Sequence, residues 1–237
     1  MAGHNKWSQI KHKKAKEDAK KGKIFTQLGK EITMSAKAGG GDPALNAALR
    51  TLLEKARAAN MPLENAMRAI KRGTGELPGV SYETITYEGY GPHGVAIIID
   101  TLSDNRNRTV AELRFIFSSH NGHLGESGAV SWMFERLGVI NLHQQVDADK
   151  LLEELIEFDI RDIKRVEGIT SIICDAKALD SVKIMLKNLK YDIDNSDLEW
   201  VAKNSVELTE AHANQVVELL SELQDHDDVQ NVYTSMA

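Results

Sequence analysis

The spacing of apolar and polar positions divides the chain into three stretches. In the first, apolar residues recur with the period of a helix. Ile24, Leu28, Ile32 and Ser35 share one stripe with Phe25 and Ala36 beside it, which predicts a helix over residues 18–38. Gly39, Gly40 and Gly41 stop it. Asp42 suits an N-cap and Pro43 the first position of a second helix reaching about residue 59, with Leu45, Leu49, Leu52, Leu53 and Ala56 inward. Asn60 suits a left-handed cap. Pro62 opens a third helix, with Leu63, Ala66, Met67 and Ile70 inward, ending at Gly73.

Residues 73–81 are turn-rich and form a boundary. Beyond it the period changes to two. Tyr82, Thr84 and Thr86 alternate with Glu83, Ile85 and Tyr87, predicting a strand over 82–88. Gly89, Gly91, Pro92 and Gly94 make a turn. Val95, Ile97 and Ile99 then lie in an unbroken apolar run, the mark of a strand buried on both faces. The polar knuckle 103–108 follows. Thr109 and Glu112 fit a capping box for a helix whose apolar face is Val110, Leu113, Ile116 and Phe117. Gly122, Gly125 and Gly128 space a loop before the next apolar run, 130–142, which is interrupted near Glu135 and Arg136.

The third stretch, 137–203, carries a full βαββαβ pattern. Strands are predicted at 139–142, 160–167, 169–175 and from 198, with helices over 147–158 and 177–189. After it come 205–208, a helix over 209–223 and a strand over 229–233, which lack partners of their own. The expected architecture is α+β: an N-terminal helical domain followed by two ferredoxin-like domains, the third inserted into the second. Residues 1–75 form the first, 80–134 with 204–237 the second, and 137–203 the third.

Charge changes this picture. The net charge of -6 hides a split between the ends of the chain. Residues 1–75 hold 16 Lys and Arg against 6 Asp and Glu, a balance of +10; residues 76–237 hold 13 against 29, a balance of -16. A basic module on an acidic body is expected to meet a polyanion. Its most basic part, residues 1–23, has Lys6, Lys11, Lys13, Lys14, Lys16, Lys20, Lys21 and Lys23 but little apolar surface, so it reads as a mobile arm that orders on a partner. Trp7 within it either stacks on a nucleobase or docks on the protein.

Other chemistry finds little support. The three glycines at 39–41 follow no strand and precede no Gly-Lys-Ser/Thr, so they read as a helix–helix turn. His120-x-x-His123 lacks further ligands nearby. Cys174 is the single cysteine and sits in an apolar strand. The run Asp225-His226-Asp227-Asp228 reads as a solvated face or turn. No hydrolase, zinc-protease or dinucleotide motif is present, and no cofactor is expected. No apolar run approaches the ~20 residues of a membrane span. The charged start of the chain resembles neither a secretory signal nor a transit peptide, and a lone cysteine points to a reducing cytoplasm.

Two phosphate-contact candidates remain outside the arm. The second and third helices resemble a helix-turn-helix pair, with Arg68, Lys71 and Arg72 outward and Asn65 and Arg68 able to reach base edges, although Glu64 opens the reading helix. In the knuckle, Arg106 and Arg108 beside a helix N-terminus could hold a phosphate. Alternatively, Asp104, Asn105 and Asn107 close a turn and both arginines are solvated.

The sequence resembles the YebC/PmpR family. Matching positions are Glu88 to Pro92, Gly94, Asp104, Asn105, Asn107 to Thr109, Gly122, Leu124, Gly125 and Gly128, and at the start Ala2-Gly3-His4, Lys6-Trp7 and Ile10-Lys11-His12. Ser103 stands for the family's Thr, Asn121 for its first loop glycine and Asn5 for its usual Ser. The resemblance implies two ferredoxin-like domains and a non-enzymatic regulator. It implies either DNA-binding control of transcription or activation of translation at the ribosome. Lysines on a flexible arm track backbone rather than bases, which favours ribosomal RNA. The candidate contacts are Lys6, Trp7, Lys11, His12, Lys13, Lys14, Lys20, Lys21, Lys23, Arg68, Lys71, Arg72, Arg106 and Arg108. A monomer is expected.

Overall fold

The apolar run 95–99 lies at the centre of the structure. Val95, Ala96, Ile97, Ile98 and Ile99 are all wholly buried, because two different layers cover the two faces of one strand. Ile97 and Ile99 pack among Leu113, Phe117, Val216 and Leu220 from helices on one side. Ala96 and Ile98 pack with Val130, Phe134 and Tyr233 on the other, against Trp200. Alternate residues of a strand point to opposite faces, so an unbroken apolar run is what such a position requires.

The computed structural model describes residues 7, 21–79, 81–166 and 168–236 of the chain. In order these form α1 (Lys21–Gly39), α2 (Ala47–Ala58), α3 (Leu63–Gly73), β1 (Glu83–Tyr90), β2 (Ala96–Ser103), α4 (Arg106–Ser119), β3 (His123–Leu124), β4 (Phe134–Leu142), α5 (Ala148–Glu154), β5 (Ile160–Val166), β6 (Ile169–Asp175), α6 (Leu179–Asn188), β7 (Ile193–Ala202), α7 (Glu210–Asp225) and β8 (Val229–Thr234). The class is α+β, as expected. Two four-stranded antiparallel sheets run β3-β1-β2-β8 and β5-β6-β4-β7.

The second sheet has the strand order of a βαββαβ ferredoxin-like unit. The first has the same two-layer form on a different chain path. Its β1–β2 hairpin is central, and β8, from the end of the chain, pairs beside β2 with Ile98 opposite Tyr233. Residues 134–202 therefore run out through the second sheet before the chain returns to the first.

Several local expectations are corrected by tertiary contacts. The second helix starts at Ala47, not at Pro43. Asp42 instead closes a single turn, its Oδ1 accepting from Ala44 and its carbonyl from Leu45 and Asn46. Asn46 is the cap: its Oδ1 accepts from the Leu49 amide at 3.0 Å, while its Nδ2 donates to the carbonyls of Ser35 and Gly40. Leu45, Leu63 and Met67, expected inward, are exposed, because both shorter helices pack on α1 through Leu49, Ala56, Ala66, Ala69 and Ile70. Strand β4 continues through Glu135 and Arg136, because both pair with β7, opposite Val201 and Trp200. Its backbone finds partners there whatever its outward side chains. Helix α4 is capped by Asn105, whose side chain accepts from the Arg108 amide, and not by Thr109. Thr109 is buried.

Candidate nucleic-acid interface

The site is built around a joint. Helix α1 presents Lys23, Gln27 and Lys30 at spacings of three and four, so all three share one face. Lys23 donates to the Gln224 carbonyl and Gln27 to that of Val229. Lys30 reaches the Asp228 carboxylate at 2.6 Å and donates to the carbonyls of Leu102 and Asp227. Asp228, only 2 % exposed, also accepts from Ser103 Oγ at 2.9 Å, Thr109 Oγ1 at 2.7 Å and Arg108 at 3.0 Å. Burial alone would raise the Asp228 carboxyl, but the hydrogen bonds from Lys30, Thr109, Arg108 and Ser103 outweigh it and hold it well below the usual carboxylate range.

Asp228 is therefore not part of a solvated face. One buried carboxylate ties α1 to β2, α4 and the loop before β8. Sequence reasoning missed it because its partners lie 119 to 198 residues away, and no local pattern marks one acid of a run as buried.

This joint sets the helical unit on the body and leaves a groove of about 440 Å³ between α1 and α3. Thr26, Lys30, Asn65, Arg68 and Arg72 line it, with Tyr82 from the start of the body. Burial, then the Asp104 carboxylate, push the Tyr82 phenol upward, so it stays a neutral donor. Arg68 makes an exposed ion pair with Glu64 at 3.1 Å, one helical turn away. Such pairs are worth roughly 0.3–0.5 kcal/mol, little enough for a phosphate to displace. Lys71 and Arg72 are exposed in the last turn of α3.

The expected contacts thus separate. Arg68 and Arg72 meet in one groove, with Lys71 exposed beside Arg72 in sequence. Arg106 is exposed in the first turn of α4. Arg108 is exposed but already paired: its guanidinium bridges Asp104 at 2.8 Å and Asp228 at 3.0 Å, and the carboxylates that hold it would repel a phosphate. Trp7 is withdrawn. It is 4 % exposed, sits in the main core and donates its Nε1–H to the Val232 carbonyl at 3.2 Å, so its ring faces are unavailable to a base. Lys6, Lys11, His12, Lys13, Lys14 and Lys20 lie outside the described residues, as does the side chain of Lys21; of the expected mobile arm only Trp7 and residues 21–23 are described, and there Trp7 is buried and Lys23 is held on the Gln224 carbonyl.

A larger cleft of about 780 Å³ between α1, α2 and the β7 edge is no second anion site. Glu31, Asp197 and Glu199 face Lys55 and Arg136 there, and Lys55 pairs with Asp197 at 3.1 Å. Among the described residues no group of three or more His, Cys, Asp and Glu is placed to hold a metal ion. His120 lies 3.4 Å from Glu222, whereas His123 stacks on Tyr90. Cys174 is buried and its thiol is pushed up to about 11 by desolvation, then by Asp175 and Asp159, which removes the thiolate a nucleophile needs.

Fold and site together define a basic three-helix unit locked onto an acidic body of two α+β layers. Two family models cover nearly all of the chain: one described as the TACO1/YebC protein N-terminal domain, over residues 5–76, and one as the TACO1/YebC second and third domain, over 82–236. The chain belongs to the TACO1/YebC family. A probable transcriptional regulatory protein from Dictyoglomus turgidum is 47% identical over 237 residues, covering 99% of this chain and 95% of the relative. One from Geobacter sulfurreducens is 48% identical over 235 residues, with the same coverage. The crystal structure of a conserved hypothetical protein from Aquifex aeolicus superposes with a TM-score of 0.83 at 41% identity, covering 94% of this chain and 93% of the other.

Proposed function

We propose that this chain is a non-enzymatic regulator of gene expression that binds nucleic acid, with RNA of the translation machinery as its target. The observation that carries the reading is the α1–α3 groove. It gathers Arg68, Arg72 and neutral hydroxyl and amide donors on the only part of the chain with surplus positive charge. The lysines of residues 6–23 add to the positive charge of the same part of the sequence, and Arg106 is an exposed cation on the body. Such a surface grips phosphates without reading bases.

The outer face of α3 favours RNA over a DNA groove. Leu63 is 75% exposed and Met67 46%, and Glu64 stands beside them. An apolar and acidic leading face does not suit base edges lined by phosphates. The second reading, a DNA-binding transcriptional regulator, has the names of the relatives in its favour.

The test is sedimentation of cell extract on a sucrose gradient. The intact chain is compared with an Arg68→Ala/Arg72→Ala variant and with one lacking residues 1–23. Migration with ribosomes, resistant to DNase and lost in both variants, is expected. Migration at the top of the gradient, together with retention of one promoter DNA against non-specific competitor, would replace the RNA reading with the DNA one. With about five phosphate contacts, affinity for duplex DNA falls roughly 10²–10³-fold between 50 and 200 mM salt. Binding that barely responds to salt would remove the electrostatic basis of both readings.

A further inference from the structure

The glycine-spaced loop after α4 carries a second surface that the basic groove does not explain. Trp132 is 67% exposed. Its Nε1–H already donates to the Ala129 carbonyl at 3.1 Å. The same carbonyl accepts from the Tyr90 hydroxyl at 3.1 Å, and the Tyr90 ring stacks on exposed His123 with centroids 5.4 Å apart and planes 30° apart. Three rings from three separate places in the chain therefore adjoin, and the polar atoms of Trp132 and Tyr90 are engaged internally. What the indole offers to solvent is ring surface.

The support beneath these rings is rigid. The Glu88 side chain, 6% exposed, accepts from the amides of Gly128, Val130 and Ser131 at 2.8, 2.7 and 2.7 Å. A Cβ on Gly122 would lie 2.7 Å from the Tyr90 carbonyl, so only glycine lets the loop approach β1 this closely. Exposed Lys203 donates to the main-chain carbonyl of Trp132 at 2.9 Å and has two further N–H groups. Exposed Glu126 lies in the same loop, so the patch has no surplus of positive charge. Its attraction is ring surface, with one cation at the edge.

We propose that Trp132 and His123 present ring faces, a platform on which unpaired nucleobases of single-stranded RNA stack, with half-buried Tyr90 holding His123 in place and Lys203 taking an adjoining phosphate. The proposal rests on the nucleic-acid reading above. A protein partner is disfavoured by the surroundings: Gly125, Glu126, Ser127, Gly128 and Ser131 carry no aliphatic surface, Val130 is buried, and half-buried Ala129 and Met133 pack on the core, which leaves little of the aliphatic rim that encloses an aromatic anchor at a protein interface. A base needs only a ring face, and every base has one.

The experiment titrates the full chain with a single-stranded RNA of mixed sequence and with an abasic strand of equal length. It follows tryptophan fluorescence and, separately, anisotropy of the labelled strand. RNA is expected to quench the indole emission, and the abasic strand to leave it unchanged. Trp132→Ala is expected to weaken RNA binding about 5- to 100-fold and Trp132→Phe less, with abasic-strand affinity the same in all three. Because Trp132 lies at the surface, equal melting temperatures should confirm that the variants fold.

If Trp132→Ala binds RNA like the parent while Arg68→Ala/Arg72→Ala does not, the platform is wrong and the nucleic-acid reading stands. If the parent binds neither strand nor duplex DNA, both fall. Quenching by an unstructured peptide and not by RNA would overturn the platform in favour of peptide docking.

Discussion

Asp228 shows how much one residue can decide. Its carboxylate holds Lys30 and two hydroxyls inside the structure and draws the exposed Arg108 against their edge. Replacing it with Ala leaves the Lys30 ammonium buried without a counter-charge, which is expected to cost about 3–5 kcal/mol in urea unfolding. The pH dependence has a definite sign. An acid held low in the folded state contributes stability above its unfolded value, about 4, and loses that contribution as pH falls below it toward the folded value. The parent should therefore lose more stability than Asp228→Asn when pH is lowered from 5 to 3. Parallel curves would show that the joint does not depend on charge. Glu88 behaves in the same direction. Burial raises its carboxyl, and the amides of Gly128, Val130 and Ser131 more than reverse this. Glu88→Gln should leave the fold intact but speed hydrogen exchange at those three amides.

Ser103 and Asn121 are the two departures within the central motifs, and both keep the chemistry their positions need. The Ser103 hydroxyl donates to Asp228, as a threonine hydroxyl would. Asn121 adopts φ 57°, a left-handed backbone that asparagine tolerates.

At the scale of elements, periodicity was a good guide to which segments are helices and strands, and a poorer one to where they start. Asn60 takes its left-handed turn at φ 59° and Gly168 turns the β5–β6 hairpin, both legible from residue type. The start of α2 was not legible. Asp42-Pro43 is the better local signal, but Asn46 wins because it also bonds across to Ser35 and Gly40. Asn46→Ala should cost about 1–2 kcal/mol of stability, near the upper end for a cap, with Asp42→Ala costing less. Thermal melts of the two variants decide the order. Leu63 and Met67 failed in the other direction: apolar spacing marks a face, but α3 packs through its small residues Ala66 and Ala69 instead.

At the scale of the molecule, the charge split gains a geometry. The Asp228 joint holds the basic unit on the body, and Trp7, from the basic start of the chain, is buried in the body's core, where its indole caps the outer edge of β8. Trp7→Ala is expected to cost about 3–5 kcal/mol, whereas removing the exposed Lys55–Asp197 bridge should cost 1 kcal/mol or less. Chemical denaturation of both variants would show whether packing or surface charge secures the helical unit. If Lys55→Ala proved the more harmful, the cleft along β7 would have to be reconsidered as the principal contact.

The sequence by itself determined the α+β class, the helical start, the double burial of residues 95–99 and the concentration of positive charge in residues 1–75. These follow from spacing and composition, which local sequence carries directly. Only the tertiary structure decided the roles of Trp7, Arg108, Asp228 and Trp132. Each residue's role depends on a neighbour brought to it by the fold or on whether water reaches it. A tryptophan among lysines and a tryptophan after a glycine loop look equally available in the chain. Packing against Val232 buries the first, and the hydrogen bond to Ala129 leaves the second with its ring in solvent.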